Sequence, residues 1–287
     1  RTHVGNGWDW QNQVWDTTPY VGSTVRLRIY DTSAAGWGHT GLDDIIATGV
    51  EGVGTGPVDL SGTPIHVIAD SALSANSATN VARLGALIIS NATLKTSGNA
   101  LGFLNTTIPP SATWVGIDAT VDTTLTQSSG LNAAGATATF AKTGLQHVIL
   151  DRAGSDLANT TFDVREGGLV GVHADAFDAA TLSLNGGELI LSSPGGNISY
   201  PNNVPVVTNS TLTAGQAGGG IAGPLTAQLE GDILFNGWHT LTARATDNYT
   251  LRLAGQISGN GTVDLTSGSV IIDDPSFNAV VLNGGTL

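Results

Sequence analysis

The chain has 287 residues and a formal net charge of −13, and charged residues make up 11% of it, against about 25% in typical soluble domains. Ten basic residues set against 23 acidic ones argue against nucleic acid and anionic membrane surfaces as partners, because both require basic patches. The absence of cysteine excludes disulfides and thiolate metal sites, and no apolar run approaches the roughly 20 residues of a membrane-spanning helix.

The first predicted elements lie near the N-terminus. In VRLRIYD (25–31), Val25, Leu27 and Ile29 alternate with polar or aromatic residues, which predicts a half-buried β-strand. A glycine-containing loop follows, and LDDII (42–46) predicts a second short strand.

These elements belong to a longer segment, WDTTPYVGSTVRLRIYDTSAAGWGHTGLDDI. Together with the tryptophans just before it, this segment resembles the end of jelly-roll domains in bacterial secreted proteins, including carbohydrate-active enzymes. The resemblance implies a partial jelly roll over residues 1–49. It also implies a structural Ca²⁺ site with oxygen ligands, for which Asp31, Asp43 and Asp44 are the candidates. Surface carboxylates without a metal are the alternative.

The next segment, residues 50–64, is rich in Gly and Pro and is predicted to be a linker. From residue 65 to residue 287 a degenerate repeat follows, as in TLSLNGGELIL (181–191), TVDLTSGSVII (262–272) and VVLNGGTL (280–287). Each copy has alternating apolar residues, a polar-Gly turn and, where the chain continues, a second apolar strand. The matching leucines, at 229, 253, 265 and 282, are irregularly spaced, which favours a β-solenoid whose turns differ in length.

The solenoid prediction agrees with the physical character of the residues. Asn-Gly-Gly and Ser-Gly supply the positive φ that tight corners need, and a low charge avoids stacking like charges in ladders. The phrase LNGGTL resembles the autotransporter-associated repeats of bacterial surface proteins, which implies a right-handed β-helix. The predicted fold class is therefore all-β, a right-handed β-solenoid preceded by a partial jelly roll. An array of immunoglobulin-like β-sandwiches is the alternative.

No catalytic centre is readable from the sequence. The six histidines are scattered without metal-ligand spacing, and we predict no cofactor apart from the candidate structural calcium. The only grouping comparable to a polysaccharide-lyase site comprises Asp151-Arg152, Asp163, Arg165 and Glu166, and solvated corners explain it better. We therefore expect a protein that is not an enzyme, with a β-helix polysaccharide lyase or hydrolase as the enzymatic alternative.

Asn-x-Ser/Thr sequences, the acceptors of N-linked glycans, are frequent in this chain. They occur at Asn91, Asn105, Asn159, Asn197, Asn209, Asn248 and Asn260. In a threonine-rich chain several of them arise by chance.

The expected function is structural and extracellular: a subunit of a bacterial surface filament, fibre or layer. Strands with free edges pair with other strands, so copies of this chain are the expected partners, joined by head-to-tail contacts or strand complementation. The candidate assembly residues are Val25, Leu27, Ile29, Leu42, Ile45, Val280, Leu282 and Leu287. The alternative is a fragment of a secreted carbohydrate-active or carbohydrate-binding adhesin, with surface polysaccharide as its partner.

Overall fold

A computed structural model describes residues 59–60, 62, 64–75, 82–216, 224–246, 248–274 and 279–285. Every regular element in those ranges is a β-strand, so the all-β prediction is confirmed. The predicted partial jelly roll lies outside the described residues, as do the calcium candidates Asp31, Asp43 and Asp44 and the assembly residues Val25, Leu27, Ile29, Leu42, Ile45 and Leu287.

The strands are short, at two to six residues each. In chain order they are β1 (Asp59–Leu60), β2 (Ile65–Val67), β3 (Ser71–Ala75), β4 (Ala82–Leu84), β5 (Leu87–Ile89), β6 (Thr93–Gly98), β7 (Leu101–Phe103), β8 (Thr106–Thr107), β9 (Trp114–Ala119), β10 (Thr123–Thr124), β11 (Thr139–Thr143), β12 (His147–Leu150), β13 (Thr161–Val164), β14 (Gly168–Gly171), β15 (Thr181–Leu184), β16 (Glu188–Leu191), β17 (Ile198–Tyr200), β18 (Val204–Val206), β19 (Ser210–Ala214), β20 (Leu225–Leu229), β21 (Ile233–Phe235), β22 (Thr240–Ala245), β23 (Tyr249–Leu253), β24 (Ile257–Gly259), β25 (Thr262–Ser267), β26 (Ser269–Ile272) and β27 (Val280–Leu282).

The strands form three faces, and coils with strands on all three pass from face 1 through face 2 to face 3. Between β9 and β16 the strands alternate between face 3 and face 1. Face 1 contains β1, β4, β7, β10, β12, β14, β16, β19, β22, β25 and β27. Face 2 consists of two sheets, β2-β5-β8 and β17-β20-β23-β26, and face 3 runs from β3 to β24. Paired strands are parallel and one coil apart, as where Thr161–Val164 lies beside Thr181–Leu184. The chain is therefore a β-solenoid, as predicted, while its right-handedness stays a prediction.

The core is built from rows of side chains that stack from one coil to the next. On face 1, Leu169, Leu189, Leu212, Ala243 and Leu265 follow one another in register, and all five are fully buried. Because side chains alternate between the two sides of a strand, the residues between them point outward.

An aromatic stack fills the middle coils. The rings of Phe140 and Phe162 are 5.0 Å apart, and Phe177 and then Tyr200 continue the stack at 5.8 Å each. The Tyr200 hydroxyl lies 2.6 Å from the carbonyl oxygen of Gly171 and 2.7 Å from that of Ser192. Burial raises the pKa of Tyr200 above its ordinary value, so the phenol stays neutral and hydrogen-bonded.

Glycines form the tight corners, as predicted from Asn-Gly-Gly and Ser-Gly. Gly186 has φ +110° and Gly268 has φ +68°. A Cβ atom at Gly268 would lie 2.2 Å from the carbonyl oxygen of Ala245 on the coil before. The corner therefore needs glycine both for its backbone conformation and for the close approach of neighbouring coils.

The irregular leucine spacing has a structural explanation that the repeat alone did not reveal. Leu229 and Leu253 are register partners on face 2, whereas Leu265 and Leu282 are register partners on face 1. The sequence repeat therefore mixes two different corners of the same coil, in addition to differences in turn length. The solenoid also begins early, because β1 lies inside the predicted linker at 50–64 and pairs with β4.

Candidate functional site

A shallow groove lies where face 3 turns into face 1. It encloses about 230 Å³ and is lined by Leu145, His147, Gly167, Gly168, Gly186, Gly187, Glu188 and Thr211. Half of these residues are glycines, so backbone forms much of its surface.

His147 is held at one side of the groove by Asp122. Oδ1 of Asp122 lies 2.9 Å from Nδ1 of His147 and accepts the backbone N–H of His147 at 3.2 Å. Because a carboxylate oxygen accepts hydrogen bonds, Nδ1 is the donor in this contact, and the contact fixes the orientation of the ring. A Cβ atom at Gly168 would lie 2.5 Å from Cδ2 of His147, so the glycine makes room for the ring.

Glu188 is anchored across the groove by residues from the next two coils of face 1. Its Oε1 accepts from Nη2 of Arg244 at 2.7 Å and from the hydroxyl of Thr213. Nε of Arg244 donates to Oγ1 of Thr213 at 2.9 Å. These bonds hold the carboxylate in one position.

The groove continues into a longer outward row on face 1, which we call the polar row. Register pairs place its members side by side in the order His147, Gly168, Glu188, Thr211, Thr242 and Asp264. Neighbouring strands lie about 4.8 Å apart, so the row runs roughly 24 Å along the solenoid. Five of its six members carry a polar side chain, and Oδ1 of one of them, Asp264, is buried.

Lys142 is the most unusual charged residue of the solenoid, because it occupies an inward position and is fully buried. Its Nζ donates to the carbonyl oxygens of Thr143, Gly144 and Glu166 at 2.7, 2.6 and 2.8 Å. Burial lowers the pKa of Lys142 to about 8, and the negative charges of Glu166 and Asp118 act in the opposite direction. The three carbonyls match the three donors of an ammonium group, so Lys142 ties the strands of two coils together at the corner.

The carboxylates of the grouping that resembles a lyase site each have a partner of their own. Asp163 is nearly buried and accepts from Nε of Arg165 at 2.6 Å and from Nδ2 of Asn185 at 3.2 Å. Glu166 accepts the N–H of Gly144 at 3.1 Å. Asp151 forms an ion pair with Arg152 at 3.4 Å, so each of these carboxylates has a structural partner.

Three of the glycan acceptor candidates serve as braces between coils. The Oδ1 atoms of Asn91, Asn197 and Asn209 accept backbone N–H groups one coil further along the chain, at 3.0, 2.8 and 2.9 Å. Asp70 and Asp232 make the same kind of bond outside any such sequence. The brace therefore explains an Asn or Asp at these corners without reference to glycans.

The other four glycan acceptor candidates differ in their surroundings. Asn159, Asn248 and Asn260 are exposed, and Asn248 has φ +65°. Asn105 is half-buried, and its Oδ1 is buried with no hydrogen-bond partner in the described structure. Glycosylation at any of the seven stays a prediction.

Within the ranges that the structure covers, no group of three or more His, Asp or Glu side chains is arranged to hold a metal ion. The calcium site, whose candidate ligands lie elsewhere in the chain, stays a prediction. In the same ranges no helix is long and apolar enough to cross a membrane.

The groove was not predicted from the sequence, which showed His147 only as one of six scattered histidines. Asp122 precedes it by 25 residues, and Arg244 follows Glu188 by 56. Such pairs become neighbours only once the coil length is known. The signal in the sequence was the number of residues between two partners, which is close to the length of one coil or to a small multiple of that length.

Comparison of the chain with protein families, curated proteins and solved structures finds no match.

Proposed function

We propose that this chain is an extracellular structural protein, a β-solenoid rod whose copies join end to end through exposed strand edges. The coils are linked by backbone ladders, by Asn and Asp braces, and by ion pairs such as Arg252 with Asp273 at 2.8 Å. A chain linked in this way from coil to coil resists bending and keeps a fixed rise, which suits a fibre or surface layer.

One observation at strand β27 carries the proposal. Leu282 is the register partner of Leu265, and Leu265 is fully buried, yet Leu282 is 60% exposed and its neighbour Val281 is 48% exposed. An apolar side chain in a core row is stabilised when another strand covers it. In the proposed assembly a strand of a second copy covers this edge, continues the ladder and buries Leu282.

Electron microscopy and light scattering of the full chain test this proposal. We expect the parent protein to form linear assemblies and Leu282→Lys to remain monomeric, because a charge at the edge opposes strand addition. Leu234→Lys is the matched control, since Leu234 is 47% exposed on the outside of face 3, and it should assemble like the parent. A parent that stays monomeric at all concentrations, or a Leu282→Lys variant that assembles normally, would overturn the proposal.

A further inference from the structure

The polar row of face 1 is shaped for an extended ligand. The groove at one end is open and small, whereas sites for compact ligands bury most of the ligand surface. The row itself carries polar side chains on five of its six coils over roughly 24 Å. A linear molecule that lies along the solenoid axis can use several of these positions at once.

The side chains of the row suit hydroxyl groups. The carboxylate of Glu188 accepts, the hydroxyls of Thr211 and Thr242 both donate and accept, and Nε2 of His147 is a further hydrogen-bonding atom. Leu145, which is 74% exposed and lines the groove, adds an apolar surface beside them. Sugars present this same combination of vicinal hydroxyls and apolar C–H faces.

Charge and backbone pairing narrow the class of ligand. Asp122, Glu188 and Asp264 make the surroundings of the row negative, and Arg244 is already paired with Glu188. Acidic polymers are repelled by such a surface. One common way to bind an extended peptide is to add it as a strand to a free sheet edge. The face 1 strands that carry the row do not allow this, because they are paired on both sides.

We infer that the polar row is a binding site for an uncharged linear polysaccharide, with His147 and Glu188 as its principal hydrogen-bonding groups. This inference is separate from the end-to-end assembly, because the row lies on the side of the solenoid and β27 lies at the end of its sheet.

Native electrophoresis of the full chain through gels that contain polysaccharide tests the inference. The neutral probes are dextran, laminarin and arabinoxylan, and polygalacturonate and a hexalysine peptide are the charged competitors. We expect at least one neutral probe to slow the parent, and His147→Ala and Thr211→Val each to weaken that retardation about fivefold, as loss of one hydrogen bond predicts. His66→Ala is the control, because His66 is exposed on face 2, and it should behave like the parent.

Three results would overturn the inference. In the first, none of the neutral probes slows the parent. In the second, the retardation is unchanged in both His147→Ala and Thr211→Val. In the third, polygalacturonate or hexalysine displaces the bound probe, whereas an excess of neutral polymer does not. Circular dichroism of each variant establishes that the fold is intact. The Leu282→Lys variant should still bind, which separates failure of this site from failure of the assembly.

A second inference concerns the Asn-Gly pairs at the corners, which differ in how they are held. At Asn185-Gly186 the Gly186 N–H donates to Oγ of Ser210 at 2.9 Å, and Nδ2 of Asn185 donates to Asp163. Asn236 is exposed, and in the described structure no hydrogen bond holds its side chain or the N–H of Gly237.

We propose that Asn236 is a site of spontaneous deamidation from which Asn185 is protected. The Gly237 nitrogen attacks Cγ of Asn236, ammonia leaves, and a succinimide ring forms. Water then opens the ring at either carbonyl, which leaves aspartate or isoaspartate and one new negative charge. At Asn185, the bond to Ser210 keeps the attacking nitrogen engaged as a donor.

Peptide mapping by mass spectrometry after incubation of the folded full chain at mildly alkaline pH tests this proposal. We expect modification at Asn236 to outpace modification at Asn185 at least tenfold, and Ser210→Ala to raise the rate at Asn185. In urea, the two sites should react at similar rates. Equal rates in the folded chain, or a Ser210→Ala variant with an unchanged Asn185 rate, would overturn the proposal.

Discussion

Face 3 has two inward rows of side chains, which lie two residues apart along the same strands. The two rows differ in the kind of side chain that they bury. One row contains Phe140, Phe162 and Leu182 and is filled by apolar packing. The other contains Lys142, Val164 and Leu184 and admits a charged group beside the corner. An inward position in this solenoid therefore need not be apolar, provided that backbone carbonyls stand close enough to receive its donors.

A substitution in the row of Phe140, Phe162 and Leu182 should lower the free energy of unfolding more than a substitution in the row of Lys142. Phe162→Ala removes the ring between Phe140 and Phe177, and such truncations cost about 3–5 kcal/mol. Urea unfolding of the full chain, followed by circular dichroism, measures the loss. Leu234→Ala, on the exposed side of face 3, should change the midpoint little. A loss below about 1 kcal/mol for Phe162→Ala would contradict the packing described here.

Replacement of Lys142 tests the second row. Lys142→Met keeps much of the volume but leaves the carbonyls of Thr143, Gly144 and Glu166 without their donor. We expect a loss of about 1–3 kcal/mol in the free energy of unfolding at pH 7. Lys95→Met, on a side chain that is 57% exposed, should stay within about 0.5 kcal/mol. Equal effects of the two substitutions would mean that the carbonyl bonds of Lys142 contribute nothing.

The same row should make stability depend on pH. The pKa of Lys142 is about 8 in the folded chain and 10.5 for an ordinary lysine, so between these values the unfolded chain binds more protons. The free energy of unfolding therefore rises with pH from about 8 to about 10.5, by at most about 3 kcal/mol. The difference between parent and Lys142→Met isolates this contribution from that of the tyrosines. Parallel curves for the two proteins across this window would contradict it.

Substitutions at the corner braces should have the smallest effect on stability. They also distinguish a structural role of the Asn side chain from a role in glycan attachment. Asn209→Ala removes the acceptor for the Thr240 N–H and should cost about 1 kcal/mol. Asn209→Asp keeps an acceptor, as Asp232 shows on another coil, and should be close to neutral although it destroys the glycan acceptor sequence. Thermal unfolding of the two variants side by side measures this. Equal destabilisation by both would count against the brace.

The sequence was sufficient to predict the all-β solenoid because alternation, glycine corners and low charge all act locally. The Asn-Gly-Gly turn at Gly186 could be predicted for this reason, since positive φ is a property of one residue. The inward position of Lys142 could not, because lysine at that point breaks the apolar pattern and its carbonyl partners come from its own corner and from the next coil.

The groove could not be predicted from the sequence for a related reason. The contacts of Asp122 with His147, and of Glu188 with Arg244, require knowledge of which strands are neighbours on face 1. Coil length varies along the chain, so a count of residues does not supply that knowledge. At Asn91, Asn197 and Asn209 the three-residue pattern predicts glycans, a prediction that stays open, but it gives no sign of the hydrogen bond that each side chain makes to the next coil.

The full register between Thr161–Val164 and Thr181–Leu184 has a consequence for how such a chain can change its length. Neighbouring coils that share such a register offer the same backbone edge above and below, so duplication or removal of one of them leaves its neighbours with equivalent partners. Recombination between repeats could then lengthen or shorten the molecule in steps of about 4.8 Å without a new fold. The length of such a solenoid can therefore change by whole coils while the fold of the remaining coils is kept.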